Sequence, residues 1–394
     1  MKSFMQKLKK IKWSRYISYV IIAILAIVCF IMSFTFSGLD YKTKVSIYEY
    51  IPMLKNIAIN MLLAASLSIV VGFLGELSLG HAGFMCAGAY FGGKIAILLT
   101  PNGTPTVWAV ILAMLVAGLV AGACGFIVGL PALRLKGDYL AIVTLAFGEI
   151  VRVIFQNTRE EGFGGVKGLI TPKFSLDNSF TIITIALVTL LIALAIIQNL
   201  IRSKHGRAIT AIRDNEIAAK ATGVNVTKYK LIAFVVAAVF AGVAGALDSF
   251  CNSPVDAINF TYNKSIDILV MVVLGGMTIN GSLASAAIIT IIETMLGDKF
   301  SGATKDFIYA LILIILVIYR NAPALKSFRE KYNLKNLWNK IFKPKHDPSN
   351  VKDDAARWDV VPTKIDMNEV LSTDVVVDNF GDNSADIGER GGSK

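Results

Sequence analysis

The sequence predicts an all-α polytopic membrane protein of about ten transmembrane helices, with broken or re-entrant segments and both termini cytoplasmic. Three observations predict it. Of 394 residues, 55% are hydrophobic and only 17% charged, against about 25% charged in an ordinary soluble domain, and the mean hydropathy is +0.61. Uncharged runs recur at about the 20 residues that a helix needs to cross a bilayer core. Lysine and arginine collect in alternate connecting segments, as they do in cytoplasmic loops. The composition excludes a soluble globular enzyme. The formal charge of +11 fits loops facing an anionic leaflet better than a nucleic-acid partner, which would need a polar basic face.

The apolar runs cover residues 19–36, 57–73, 81–99, 107–130, 139–156, 180–200, 231–249, 266–278, 282–296 and 307–319, the last three being short. The first has a lysine-rich lead like a signal peptide. Its 18 uncharged residues exceed the usual apolar region of about 7–15, and no A-x-A-like site follows, so it is expected to remain as an anchor. Segments 1–18, 131–138, 201–230 and 320–345 carry 6, 2, 7 and 8 basic residues; segments 37–55, 157–179, 250–265 and 297–306 carry 3, 3, 1 and 2. This asymmetry places both termini inside. The expected organisation is a basic N-terminus (1–18), a transmembrane domain (19–319) with a cytoplasmic loop at 201–230, a basic juxtamembrane segment (320–346) and a tail (347–394). The tail holds 5 basic and 11 acidic residues and is expected to be disordered and cytoplasmic.

Chemistry-bearing motifs are sparse. Cys29, Cys86, Cys124 and Cys251 lack C-x-x-C spacing, so neither a disulfide frame nor a metal site is read. His81, His205 and His346 are too far apart for a helical metal pair, and neither H-E-x-x-H nor G-x-S-x-G occurs. Gly88 to Lys94 fits G-x-x-x-x-G-K literally, but Ile95 stands where a magnesium-ligating Ser or Thr is needed, and the segment lies in an apolar run. ATP, if it powers this protein, is bound by another chain.

Glycines punctuate two places. Gly72, Gly75, Gly80 and Gly83 cluster between the second and third runs, and Gly275, Gly276 and Gly281 break the eighth from the ninth. These breaks, in corresponding positions of two halves, either line a pathway or simply permit close helix packing. Glu149 and Arg152, at i and i+3, can pair within the fifth run and are expected to fix packing rather than bind substrate. Glu76 and His81, beside the first glycine cluster, either line a cavity or face interior water. Glu293 and Lys94 lie near run ends and can snorkel. Nothing is inferred from Asp248 or Asp267. The loop 201–230 reads as a short helix pair, with Asp214 and Asn215 able to cap the second helix and Gly223 able to end it. A small Ala-rich helix flanked by Arg207, Arg213 and Lys220 suits either a groove on a partner or the lipid interface.

Three stretches together resemble one family. Gly75-Glu-Leu-Ser-Leu-Gly-His-Ala-Gly-Phe84 with Gly88-Ala-Tyr90 is similar to its G-x-(L/V)-S-L-G-H-A-x-F…G-A-Y segment. Leu133-Arg-Leu-Lys-Gly-Asp-Tyr-Leu-Ala-Ile-Val-Thr-Leu-Ala-Phe-Gly-Glu-Ile-Val-Arg152 resembles its L-R-L-(R/K)-G-D-Y run. Gly206-Arg-Ala-Ile-Thr-Ala-Ile-Arg-Asp-Asn-Glu-Ile-Ala-Ala219, continuing to Gly223 and Tyr229-Lys-Leu231, is the third. The family is that of LivM-type permease subunits of branched-chain amino acid ABC importers, and the resemblance covers residues 50–320.

The resemblance implies a multi-pass permease of the bacterial cell membrane that imports branched-chain amino acids by alternating access. Its implied partners are a homologous second permease, two cytoplasmic ATPase subunits and an extracytoplasmic amino-acid-binding protein. ATP and magnesium would reside on those ATPases; this chain would hold no cofactor and no catalytic centre. Glu216, Ala218, Ala219 and Gly223 resemble the coupling motif E-A-A-x-x-x-G, with Arg207, Arg213 and Asp214 beside it. Ile217 intervenes after Glu216, and Lys230-Leu-Ile-Ala stands in place of I-x-x-P. The acidic tail is a further departure. Glu76, Gly80, His81, Gly83, Glu149, Arg152, Gly275 and Gly276 are the expected pathway or gating residues. A urea or other small-solute permease is one alternative. An ion-coupled transporter titrating Glu149 or Glu76 is another, and a membrane enzyme a third.

Overall fold

The structure, a computed structural model, describes residues 17–35, 47, 49–100, 105–135, 137–172, 174, 179–300 and 303–321. The expectations for the basic N-terminus, the juxtamembrane segment and the acidic tail lie outside the described residues, apart from the helix ends at 17–18 and 320–321.

Helices run in the order α1 (Ile17–Thr35), α2 (Ile51–Ser68), α3 (His81–Leu99), α4 (Val107–Ala132), α5 (Asp138–Gln156), the single turn α6 (Glu160–Phe163) and α7 (Ser179–Arg202). They continue as α8 (Lys204–Asp214), α9 (Glu216–Ala221), α10 (Val226–Cys251), α11 (Tyr262–Leu274), α12 (Ile279–Lys299) and α13 (Ala303–Asn321). Among the described residues the one β-type pairing is an isolated bridge between Leu169 and Val255. Each predicted apolar run falls on a helix. Six, namely α2 with its extension to Leu74, α3, α4, α7, α10 and α12 to Gly297, are long and apolar enough to cross a membrane. The ninth run was expected to be short, whereas α12 has 21 residues. Thr278 starts it early, its hydroxyl accepting the Gly281 N–H at 3.3 Å, so polar Asn280 and Gly281 join the helix.

In lipid there is little hydrophobic gain in pressing two apolar helices together, so close approach rests on small residues. Helix α10 packs against α3 and α4, α2 against α12 and α10, and α1 against α7. At the α3–α10 crossing a Cβ added to Gly88 would lie 2.2 Å from the Gly242 carbonyl oxygen. The glycine that opened the phosphate-loop-like match is thus a helix-crossing residue. On α4, Trp108, Leu115, Leu119 and Ile127 remain exposed, as a face turned to lipid requires.

Both predicted breaks are present, and they touch. Helix α2 runs into a π-helical turn, Ile69–Leu74, closed by Gly75 at φ 78°. This wider winding brings the Gly75 N–H and the Glu76 N–H, at 3.2 Å, back to the Val70 carbonyl. The second break follows α11, where Gly276 and Met277 take φ values of 74° and 57°. A Cβ on Gly72 would meet the Met277 carbonyl oxygen at 2.2 Å. Only glycine lets the two breaks meet there.

Candidate functional site

The loop 201–230 folds as two capped helices. Ser203 Oγ accepts the N–H groups of His205 and Gly206 at the start of α8, at 3.1 and 3.3 Å. Asn215 Oδ1 accepts those of Ile217 and Ala218 at the start of α9, both at 3.0 Å, so Asn215 rather than Asp214 is the cap. Gly223, at φ 84°, ends α9. Its N–H bonds the Lys220 carbonyl and that of Val224 the Ala219 carbonyl, both at 3.0 Å, the pairing of a left-handed C-terminal cap. Ile209, Ile212 and Ala219 are buried, whereas Ile217 is 79% exposed. Arg207, Ala218, Lys220 and Ala221 are exposed beside it. Helix α9 therefore turns a small, mostly apolar face outward.

Behind that face the loop is tied to the first break. Lys230, on α10 and 3% exposed, donates to Glu76 Oε1 at 2.5 Å and to Glu216 Oε2 at 3.3 Å. A buried ammonium is tolerated only when its charge and donors are met. Here one lysine gathers a carboxylate from the broken segment and one from α9. A second tie lies alongside: Arg213 Nη1 donates to the Gly72 carbonyl at 2.9 Å while its guanidinium pairs with Asp214 at 3.0 Å. The Arg213 side chain also covers Gly75, where a Cβ would stand 2.6 Å from Arg213 Cγ.

The other expected site residues make specific contacts between elements. His81 is 2% exposed and its Nε2 lies 2.7 Å from Ser66 Oγ, joining the start of α3 to α2 across the break. Gly80 packs on the backbone of Thr144 and Gly83 on Gly148, so both sit at the α3–α5 crossing. Gly275 packs on Gly281 and Ser282. Gly276 carries the left-handed turn. Glu149 and Arg152 pair at 2.7 Å, and Arg152 also reaches Gln156 at 2.9 Å. The other Glu149 oxygen accepts the Tyr262 N–H at 2.9 Å. It thereby places a negative charge at the N-terminus of α11, where a helix favours one.

The two side chains able to snorkel each meet a polar partner near the end of their helix. Lys94 donates to the Gly162 carbonyl at 2.6 Å, which ties the α6 turn to the end of α3. Glu293 lines a cavity with Asp248 and Asp267 and lies 3.8 Å from Lys305. Lys230 was missed as a site residue since it was counted as a loop charge. Its signal was its place immediately before an apolar run and behind Asn225, which caps α10 by accepting the Lys228 N–H at 3.1 Å.

The sequence matches the family described as "Branched-chain amino acid transport system / permease component" over residues 51–317. It is 34% identical over 306 residues to the high-affinity branched-chain amino acid transport system permease protein LivM of Escherichia coli, covering 71% of this chain and 70% of that protein. The probable LivM of Methanocaldococcus jannaschii is 27% identical over 61% of this chain and 75% of its own. LivH of Escherichia coli, another permease protein, is 26% identical over 65% of this chain and 88% of its own. No solved structure matches the chain.

Proposed function

Since the chain belongs to the family of permease components of branched-chain amino acid transport systems and is a multi-pass protein of the inner membrane, we propose that it is the LivM-type half of an ATP-driven importer of branched-chain amino acids. In this reading a LivH-like homologue is the second permease. Two cytoplasmic ATPase subunits hold ATP and magnesium, and an extracytoplasmic binding protein delivers the amino acid. All ten apolar helices take part in the membrane domain, with the loop 201–230 and both termini cytoplasmic.

One observation carries the mechanism: α8 and α9 are tied to the broken end of α2 by Lys230–Glu76–Glu216 and by Arg213 on the Gly72 carbonyl. The exposed face around Ile217, Ala218 and Ala221 is the surface offered to an ATPase cleft. When ATP closes the ATPases, α9 is displaced, and its two ties carry the displacement to the π turn and, through Gly72 against Met277, to the second break. Both breaks change together, and access alternates. The chain's own residues transmit force and perform no covalent step. The ion-coupled alternative loses support from the same geometry, because Glu149 is engaged by Arg152 and the start of α11, and Glu76 by Lys230.

The test is reconstitution. Vesicles holding this chain, the second permease and both ATPases, supplied with binding protein, should take up leucine only with ATP and regardless of ionophores. The paired change Glu216→Ala with Gly223→Arg should release the ATPases in a gentle-detergent pull-down. Uptake by the chain alone, driven by an ion gradient, would overturn the reading.

A further inference from the structure

At the end of α10 opposite Lys230 the bundle opens into a polar cavity of about 510 Å³, within the range of small-molecule sites. The rise from Lys230 to Asp248, at about 1.5 Å per residue, is about 27 Å, close to the thickness of the hydrocarbon core. The cavity therefore faces the side away from the coupling loop. Asp248, Asp256, Asp267 and Glu293 line it together with Lys264 and Lys305.

The groups are held in place. Asn60, 4% exposed, accepts from Lys264 Nζ on Oδ1 at 3.3 Å and donates from Nδ2 to Thr290 Oγ1 at 2.9 Å. Asn252 donates to Asp248 Oδ1 at 2.8 Å and to Asn56 Oδ1 at 3.3 Å. Each amide fixes one charged group while leaving it capacity, since an ammonium has three donors and a carboxylate about four acceptor sites. The apolar part of the wall is Met85, Val255 and Phe260, each 3% exposed or less. An anchored cation and an anchored anion are the complements of the two charged groups of an α-amino acid. Among the described residues no three His, Cys, Asp or Glu side chains gather as a metal site, and a site for a simple cation would gain nothing from holding the Lys264 ammonium inside it.

We propose that this cavity binds the zwitterionic amino acid itself: Lys264 takes its carboxylate, and Asp248 with Glu293 its ammonium. The proposal rests on the importer reading and adds to it a solute site within this one chain. It would receive substrate on the outer side before the breaks open.

Saturation-transfer NMR on the purified complex of this chain with its second permease and ATPases, in nanodiscs, tests it. The probes are leucine, 4-methylpentanoate, which lacks the ammonium, and isopentylamine, which lacks the carboxylate. Leucine should give the strongest transfer in the unaltered complex. Lys264→Met should weaken leucine about ten-fold or more and abolish the pentanoate response, leaving isopentylamine. Asp248→Asn should do the converse. Where a variant fails to assemble, the ranking of the three probes on the unaltered complex decides. Isopentylamine binding as well as leucine would make this a cation site and overturn the proposal, as would leucine transfer unaffected by both substitutions. ATP-driven leucine uptake by the same unaltered complex, reconstituted in vesicles and supplied with the binding protein, separates the two readings: its presence with a failed probe ranking sinks the cavity alone, and its absence sinks the importer.

Discussion

Helix α10 carries charge at both ends, and the two ends are built oppositely. At Lys230 the ammonium is buried and closed around by Glu76 and Glu216, with side chains 4%, 14% and 23% exposed. At Asp248 the charges face an open cavity, and the ion pair between Glu293 and Lys305 is long, at 3.8 Å, with side chains 38% and 30% exposed. A buried cluster of opposite charges resists rearrangement and, in the proposed reading, transmits a displacement. Partly hydrated groups around a cavity retain capacity for a solute. In the proposed reading the same residue types serve force at one end and recognition at the other, and what distinguishes them is burial.

The contrast breaks most sharply at the closed end. Glu76→Ala leaves the buried Lys230 with Glu216 alone and should cost about 3–5 kcal/mol, read as a lowered thermal midpoint in detergent. The isosteric triple change Lys230→Met, Glu76→Gln, Glu216→Gln should recover most of that stability, because a neutral cluster needs no compensation. A stability recovered without recovered transport would sharpen the claim that these charges transmit. Next in size is the crossing that holds α10 in place: Gly88→Val forces a side chain against the Gly242 carbonyl and should cost about 1–3 kcal/mol, by the same melt. Asn215→Ala removes the cap of α9 and should cost about 1 kcal/mol, seen as faster amide exchange confined to the loop. The smallest effect belongs to the open end. Glu293→Gln breaks an exposed pair and should change stability by under about 1 kcal/mol, so a large loss there would erase the contrast.

Much of this was legible in the residues. Runs of apolar sequence located the helices because a bilayer imposes their length, and Asn215 and Gly223 announced the ends of α9 through capping chemistry. The glycine clusters marked both breaks. That the breaks touch through Gly72 and Met277 was not legible, since sequence order carries no distance between segments some 200 residues apart. Lys230 illustrates the limit best: its neighbours in sequence make it a cytoplasmic loop charge, while its partner Glu76 lies 154 residues away. Asp248 and Asp267 likewise yielded nothing singly, and Glu293 only a snorkelling side chain, because a cavity is a property of several helices at once.

The most direct measurement is the ratio of leucine transported to ATP hydrolysed, in vesicles holding the whole importer with Lys230→Met, Glu76→Gln and Glu216→Gln. The ATPases should still co-purify, because the outward face of α9 is untouched, and ATP should still be hydrolysed, with leucine moved per ATP reduced about ten-fold, a change worth about 1.4 kcal/mol of coupling. A ratio equal to that of the unaltered importer would show that the displacement travels by another route, and that the Lys230 cluster is merely structural.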